Sequence, residues 1–218
     1  MNNYTLEIKL KSPALVGSGV GFGSEIDTDI VFDEFGLPYI PAKRIKGCLR
    51  ESITEIKDIF SIAGVGEDKI AITKTFGEAG EKDSAPVYFS NLYLPDWGKN
   101  RAWLNYFLEE YRELITPDRV VEYFTEIYQQ TKINRHGVAE EHSLRTSRVL
   151  KKGLCFEGMV RIESNEKETL PTLLLACQNF RRLGTKRNRG FGEISCQLKD
   201  AQGMVLNAES ILEELCTL

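Results

Sequence analysis

The chain has 218 residues, of which 42% are hydrophobic, and this length and composition suit one domain with insertions and a substantial core. A formal net charge of −4 excludes a protein that is basic overall, so contact with nucleic acid requires a local cluster of cations. No apolar run approaches the roughly 18 residues of a membrane helix, and no signal peptide is apparent, so we expect a cytoplasmic protein that contacts no membrane.

The first segment predicts a strand that leads into a glycine-rich loop. Apolar and polar residues alternate over 4–10, which is typical of a strand with one buried face. Glycines at 17–23 have a spacing that resembles a dinucleotide-binding fingerprint, but β-prone residues at 29–32 stand where that fingerprint requires a helix. The sequence therefore does not favour a dinucleotide-binding fold.

The segment after Pro41 predicts a helix with separate apolar and basic faces. The residues expected to face the core are Ile45, Leu49, Ile53 and Ile56. Lys43, Lys46 and Arg50 share a different face at spacings of three and seven residues. Because the first turn of a helix usually favours acids, this basic turn indicates an anionic ligand.

The middle of the chain predicts a strand over 87–94, two helices and a projecting segment. An aromatic stripe between Trp103 and Leu114 predicts a helix whose aromatic side chains lie in the core rather than stacking on bases. Thr116 and Pro117 have the composition of a helix start. The residues of that helix expected to face inward are Val120, Val121, Phe124 and Tyr128. The polar and basic stretch 132–152, which contains both histidines, predicts a projecting hairpin or loop.

The C-terminal third predicts a strand over 154–162, a helix over 170–180 and a strand over 194–198. The order strand, helix, strand, strand, helix, strand matches an α+β fold with a ferredoxin-like or RRM-like antiparallel sheet. We therefore predict a single domain over 1–218, with an inserted helical region at about 96–130 and a thumb-like segment at about 131–152.

A basic glycine loop at 181–193 separates this last helix from the last strand. It holds five cations and three glycines in thirteen residues. Glycine allows the backbone to approach a ligand closely, and the cations attract phosphate. The alternative interpretation is a charged loop that is only solvated.

The cysteines give no sign of a metal site or a disulfide framework. They are widely spaced, with no C-x-x-C pair, at Cys48, Cys155, Cys177, Cys196 and Cys216. We expect reduced, buried thiols rather than structural zinc.

Three motifs, in order, resemble those of the RAMP superfamily of CRISPR-associated proteins. Residues 36–50, GLPYIPAKRIKGCLR, resemble its G-x-P-x-I-P-x-x-x-(I/L)-K-G-x-L-R signature. Thr75–Gly77 followed by Val87–Asn91 is similar to the family's L-F-G and h-x-F-S-D stretch, and 184–192 resembles its glycine-rich hallmark. The resemblance covers most of the chain and implies an RRM-like fold.

Within that superfamily the chain most resembles the backbone subunits of type III effector complexes. The resemblance implies as partners a guide RNA, a paired target RNA, other effector subunits and further copies of the chain itself. Residues 26–33 are similar to the family's I-D-x-P-V-I-x-D, which places Asp27 at the position that cleaves target RNA; Asp29 replaces the usual proline and is the alternate acid. Ala42–Arg44 replaces the common Gly-Ser-Ser, so Lys43 and Arg44 are expected to hold the anion with side chains.

The residues expected to bind RNA lie in four places. In the glycine-rich loop and first helix they are Ser18, Lys43, Arg44, Lys46 and Arg50. In the thumb-like segment and the C-terminal loop they are Arg135, His136, Arg145, Arg148, Gly184, Lys186, Arg187, Arg189 and Gly190. Because a reusable track has to accept any guide sequence, these contacts are expected at phosphates.

An aspartate can promote RNA cleavage in two ways. It can help to deprotonate the ribose 2′-hydroxyl, or it can hold a divalent ion, for which Mg²⁺ is expected, that stabilises charge on the phosphate. No dedicated metal site and no organic cofactor are expected. The alternative interpretation is purely structural: Asp27 only caps a turn.

Three functions remain open at this point. The first is an endoribonuclease subunit that binds guide RNA and cuts target RNA with Asp27. The second is an architectural RNA-binding subunit without catalysis. The third is a guide-processing nuclease that uses His136 or His142 as a base.

Overall fold

A four-stranded antiparallel sheet and a separate two-stranded hairpin form the framework. The structure is a computed structural model that describes residues 2–17, 26–64, 70–78 and 86–216. The strands are β1 Asn2–Leu10, β2 Val87–Phe89, β3 Thr125–Gln130, β4 Arg145–Leu150, β5 Cys155–Ile162 and β6 Ile194–Lys199. The helices are α1 Ala42–Ala63, α2 Ile72–Phe76, α3 Trp97–Glu110, α4 Pro117–Phe124, α5 Glu166–Asn179 and α6 Glu209–Cys216.

The order of strands in the main sheet is β2-β5-β1-β6, with every neighbouring pair antiparallel. The first strand thus lies between the third and the fourth strands of the βαββαβ unit, with the second strand at the edge. This is the ferredoxin-like arrangement, and it confirms the predicted fold class.

The core lies between one face of this sheet and the helices α1 and α5. Leu6 and Ile8 of β1 are fully buried, as are Ile45 and Leu49 of α1, because the periods of strand and helix place them on facing surfaces. The buried Ser52 of α1 donates to a backbone carbonyl of α5 at 3.0 Å, which fixes the two helices together. Cysteines 48, 155, 177 and 196 are free thiols.

The start of α1 is capped from outside the helix. Pro41 provides no side-chain cap, and the amide of Ala42 donates to Oδ1 of Asn91 at 2.9 Å. Asn91 follows β2 and belongs to the second motif described above. The motif residue therefore has a structural role, since it satisfies a backbone donor that the helix cannot.

The inserted helices differ from the prediction in burial. Thr116 does cap α4, accepting from the amide of Arg119 at 3.3 Å, with Pro117 in the first turn. The α3 aromatics, however, are not in the core: Trp103 is 61% exposed, and no residue of α3 is buried. The helical period correctly indicated a helix, but the expected burial of its stripe was only partly right: Leu104 packs partly buried against the core, whereas Trp103 lies on the exposed side.

The prediction that Tyr128 lies on the second inserted helix was wrong. Helix α4 ends at Phe124, and Thr125–Gln130 forms a strand that pairs with all six residues of β4. The ring of Tyr128 packs edge-on against Phe191, with 5.1 Å between centroids. Long-range pairing with β4, which periodicity does not reveal, overrides the helical pattern here.

The hairpin formed by β3 and β4 extends over 125–150 and projects a turn at its tip. Oδ1 of Asn134 accepts from the amides of His136 and Val138, which closes the tip. At its base, β4 also bridges Ala14 and Thr28 of the N-terminal segment. The predicted projection thus begins earlier than residue 132, and it is an ordered ladder up to Gln130 and from Arg145 onward.

Candidate nucleic-acid interface

Strand β4 is the platform on which the candidate acidic site is built. The amide of Asp27 donates to the carbonyl of Thr146 at 3.0 Å, and the amide of Arg148 donates to the carbonyl of Thr28 at 3.0 Å. The segment around Asp27 therefore runs along the edge of β4 that β3 leaves free. This pairing fixes the position of the acid relative to the hairpin.

The carboxylate of Asp27 lies at the surface and is held by two donors. The amide of Thr146 donates to Oδ2 at 2.8 Å, and Arg145 Nη1 donates to Oδ1 at 3.2 Å, while the side chain remains 39% exposed. The backbone hydrogen bond from Thr146, followed by Arg145 and the charge of Lys186, lowers the pKa of Asp27 below its usual value. Asp27 is therefore an anion at neutral pH and a weak base.

Asp29, two residues further along, has the opposite environment. Its side chain is 1% exposed and forms an ion pair with Arg148, with 3.0 Å between Nη1 and Oδ2. Of the two candidate acids, only Asp27 is open to a ligand. The same ion pair engages Arg148, which we expected to contact RNA.

The basic glycine loop is clamped at two of its glycines, Gly184 against the N-terminal segment and Gly192 against Leu183 of the loop itself. Gly184 has φ +89°, and an added Cβ would lie 2.3 Å from the carbonyl oxygen of Leu15. Gly192, at φ +76°, would place a Cβ 1.9 Å from the carbonyl oxygen of Leu183. These close approaches require glycine and explain why the loop carries it at these two positions.

The clamped loop brings its cations to the base of the hairpin. Lys186 Nζ lies 3.1 Å from Gln130 Oε1 and 3.1 Å from Ser147 Oγ, and Arg189 also reaches Gln130 at 3.3 Å. Ser147 is adjacent in β4 to Thr146, the residue that binds Asp27. The loop, the hairpin and the candidate acid therefore meet at one place.

The loop also contacts α1. Arg187 forms an ion pair with Glu51 of α1 at 3.3 Å, on the wall of a cleft of about 1010 Å³. The cations that line this cleft are Arg181, Arg182, Lys186, Arg187 and Arg189. The early helix and the late loop thus lie side by side, as the RNA-binding hypothesis requires.

The basic face of α1 is nevertheless a different flank from the one that contacts the loop. At about 100° per residue, Lys43, Lys46 and Arg50 fall within roughly 60° of one another, whereas Glu51 points about 100° away from Arg50. Within the described residues the side chains of these three cations make no hydrogen bond or ion pair. The cations of α1 and those of the basic glycine loop therefore form two adjacent surfaces on the two flanks of α1.

The other expected RNA-binding residues are distributed around these surfaces. Arg44 is partly buried, and its Nη2 donates to the carbonyl of Gly17 at 2.7 Å, so it anchors the chain just before the glycine-rich loop. Ser18 lies outside the described residues. Arg135 and His136 are exposed at the tip of the hairpin and bond to each other at 3.1 Å. Gly190 has φ +84° and open space around it.

Sequence reasoning missed Gln130 and Ser147, which position Lys186 and Arg189. Ser147 is buried and Gln130 is partly buried, and both lie on the hairpin strands. No sequence signal marks them, since their role depends on the pairing of β3 with β4. A correct strand assignment at 125–130 would have placed Gln130 opposite Arg145.

The described residues around Asp27 do not form a complete metal site. Among the described residues, one group of three potential ligands occurs, and it comprises Glu7, Cys155 and Glu157 on the main sheet. Lys199 already pairs with Glu7 at 2.5 Å in that group. Asp27 would supply a single carboxylate ligand, and both of its oxygens are already hydrogen-bonded.

Comparison with solved structures supports the fold. A chain in a cryo-EM structure of the type III-B Cmr-β complex bound to cognate target RNA superimposes with a TM-score of 0.67 at 15% identity, covering 91% of this chain and 97% of that one. A chain in the apo state of Cmr-β gives a TM-score of 0.64 at 16% identity, covering 90% and 97%. At these identities the likeness concerns the fold.

Curated sequences give no significant match to this chain. Across the residues that the structure describes, no helix combines the length and the apolarity needed to cross a membrane. The sequence model of the RAMP superfamily matches residues 7–195, most of the chain, and includes α1, the Asp27 segment, the hairpin and the basic glycine loop. The chain therefore belongs to the RAMP superfamily.

Proposed function

We propose that this chain is a backbone subunit of a type III CRISPR effector complex, where it binds guide RNA through phosphate contacts and cleaves the paired target RNA at Asp27. Family membership and the fold shared with chains of Cmr-β complexes, one of them bound to target RNA, support the type of complex. The observation that carries the catalytic part is the exposed Asp27 carboxylate held on strand β4 of the hairpin by Thr146 and Arg145.

Guide RNA contacts the cations on both flanks of α1. Lys43, Lys46 and Arg50 have no partner within the described chain, so they meet phosphates without first breaking an ion pair. Arg187 and Lys186 on the other flank exchange their bonds to Glu51, Gln130 and Ser147 for phosphate oxygens. Copies of the chain along one guide, together with other effector subunits, would repeat this arrangement.

Asp27 acts as a permanent anion. Its lowered pKa makes it a poor acceptor for the proton of a ribose 2′-hydroxyl near pH 7, so general-base catalysis is the weaker of its two roles. As a carboxylate, Asp27 can provide one ligand to a divalent ion such as Mg²⁺, with RNA phosphates and water providing the rest; such an ion stabilises charge on the phosphate. Arg145 has to leave Oδ1 to free that ligand position.

The test is the substitution Asp27→Asn in the assembled complex. Asparagine keeps an acceptor for Thr146 and removes the charge, so we expect target RNA to remain bound while cleavage at the regular sites falls by about 100-fold or more. Asp58→Asn, an exposed aspartate on α1, is the matched control and should cleave normally. Unchanged cleavage by Asp27→Asn would remove the catalytic assignment.

A purely architectural subunit is the second candidate. It is favoured by the fact that both oxygens of Asp27 are already bound within the chain, as in a residue that only fastens its segment to β4. In that case Asp27→Asn lowers stability and leaves cleavage, carried by another subunit, intact. A guide-processing nuclease would instead cleave repeat RNA without metal and lose this activity on replacement of His136 or His142.

A further inference from the structure

The basic face of α1 continues beyond the residues assigned to RNA so far. Lys57 follows Arg50 by seven residues and Lys43 by fourteen, so all three share one face of the helix. At 1.5 Å per residue, the cations from Lys43 to Lys57 extend over about 21 Å. The same flank therefore carries positive charge along most of α1.

This basic face ends at a cleft of about 540 Å³ between α1, α2 and the start of α5. Three lysines from these three helices line it: Lys57, Lys74 and Lys167. Glu168 is the one carboxylate in its lining, and it pairs with Lys74 at 2.7 Å. Within the described residues, Lys57 and Lys167 make no hydrogen bond or ion pair, so the cleft retains unneutralised positive charge.

The walls of the cleft are fixed by buried contacts. Thr172 is 1% exposed; its Oγ1 accepts from the amide of Ala71 at 3.1 Å and donates to the carbonyl of Glu168 at 3.0 Å. This hydroxyl joins the start of α2 to α5. The lysines therefore project from packed helices whose separation is set by the core.

We propose that this cleft is a second phosphate-binding site, which takes the RNA backbone after it has followed α1 from Lys43 to Arg50. The inference rests on the proposed function, since it assigns the path of the same RNA. Phosphate suits the cleft because lysine is a compact point charge that binds phosphate oxygens without demanding a fixed geometry. Inorganic phosphate has the same chemistry, so the experiment must separate it from RNA.

The test compares two double variants of the full-length chain that remove the same charge. Lys57→Gln/Lys167→Gln alters the cleft, while Lys99→Gln/Arg112→Gln removes two exposed cations at and beyond α3 as the matched control. Affinity for short and long oligouridine is measured as a function of salt concentration. For long RNA, the loss of two phosphate contacts should reduce the salt slope of the cleft variant by about 1.4 relative to the control. Short oligouridine bound at Lys43–Arg50 should show equal slopes in both variants.

The outcomes separate the two proposals. If wild-type chain binds long RNA and both variants have the same slope, the cleft is not on the RNA path and this inference falls while the proposed function stands. If wild-type chain binds no RNA, both fall. Inorganic phosphate at equal ionic strength should compete only weakly with long RNA for the chain. If phosphate saturates the cleft and leaves the affinity for RNA unchanged, the cleft is a site for small anions, and the proposal that RNA passes through it is wrong.

Discussion

Asp27 and Asp29 stand two residues apart in opposite environments, one at the surface and one buried. Asp29 is buried with Arg148, and removal of one partner of a buried ion pair leaves an uncompensated charge. We therefore expect Arg148→Met to lower the free energy of unfolding by about 3 kcal/mol. Urea denaturation of this variant, beside Arg135→Met at the exposed hairpin tip as a control, measures the difference; equal midpoints would show that the pair contributes little.

The lowered pKa of Asp27 gives a prediction about pH. A group with a depressed pKa in the folded state contributes stability above its unfolded value, near 3.8, and loses it only as pH falls through the lower folded value. Asp27 thus stays ionised from neutral pH down to about pH 4, so its titration should add no acidic limb to the cleavage profile between about pH 5 and 8. A limb in that range that disappears in Asp27→Asn would restore the general-base role.

Among the elements, the basic glycine loop depends most on single residues. In Gly192→Ala the new Cβ would collide with the carbonyl of Leu183, whereas Gly190→Ala has a similar positive φ with open space around it. We expect Gly190→Ala to cost about 1 kcal/mol and Gly192→Ala clearly more, with loss of RNA affinity as the loop shifts. Thermal unfolding and RNA titration of the two variants test this; equal effects would mean that the loop is not clamped at Gly192.

The elements also show where sequence reasoning succeeds. Strand β1 and helix α1 were predicted correctly because their periodicities of two and 3.6 coincide with burial against the common core. Strand β3 was missed because Thr125–Gln130 follows an amphipathic helix without a break and is made a strand by β4, about twenty residues away in the sequence. The exposure of Trp103 could not be predicted from the helical spacing of the aromatic residues. That spacing shows which residues share one face of the helix but not whether another element covers this face.

For the whole molecule, the sequence motifs identified the family and the candidate acid, and the strand pairings determined where the motifs lie relative to one another. Asp27 was singled out from the family resemblance alone, while its contact with Thr146 follows from pairing along β4. Helical geometry places Lys46 on one flank of α1, and the ion pair with Glu51 places Arg187 on the other flank. At this scale we expect RNA binding by the isolated chain to weaken with salt, with a slope of about 0.7 per phosphate contacted.

Photo-crosslinking of thiouridine-labelled RNA to the chain, followed by mass spectrometry of the crosslinked peptides, tests the location of the RNA most directly. The arrangement described above predicts crosslinks in α1, in the basic glycine loop and along β4 near Asp27. The uncovered face of the main sheet, marked by exposed Tyr88 and Met159, should give none. Crosslinks confined to that sheet face would contradict the assignment, because RNA would then bind on a surface that holds neither Asp27 nor the loop.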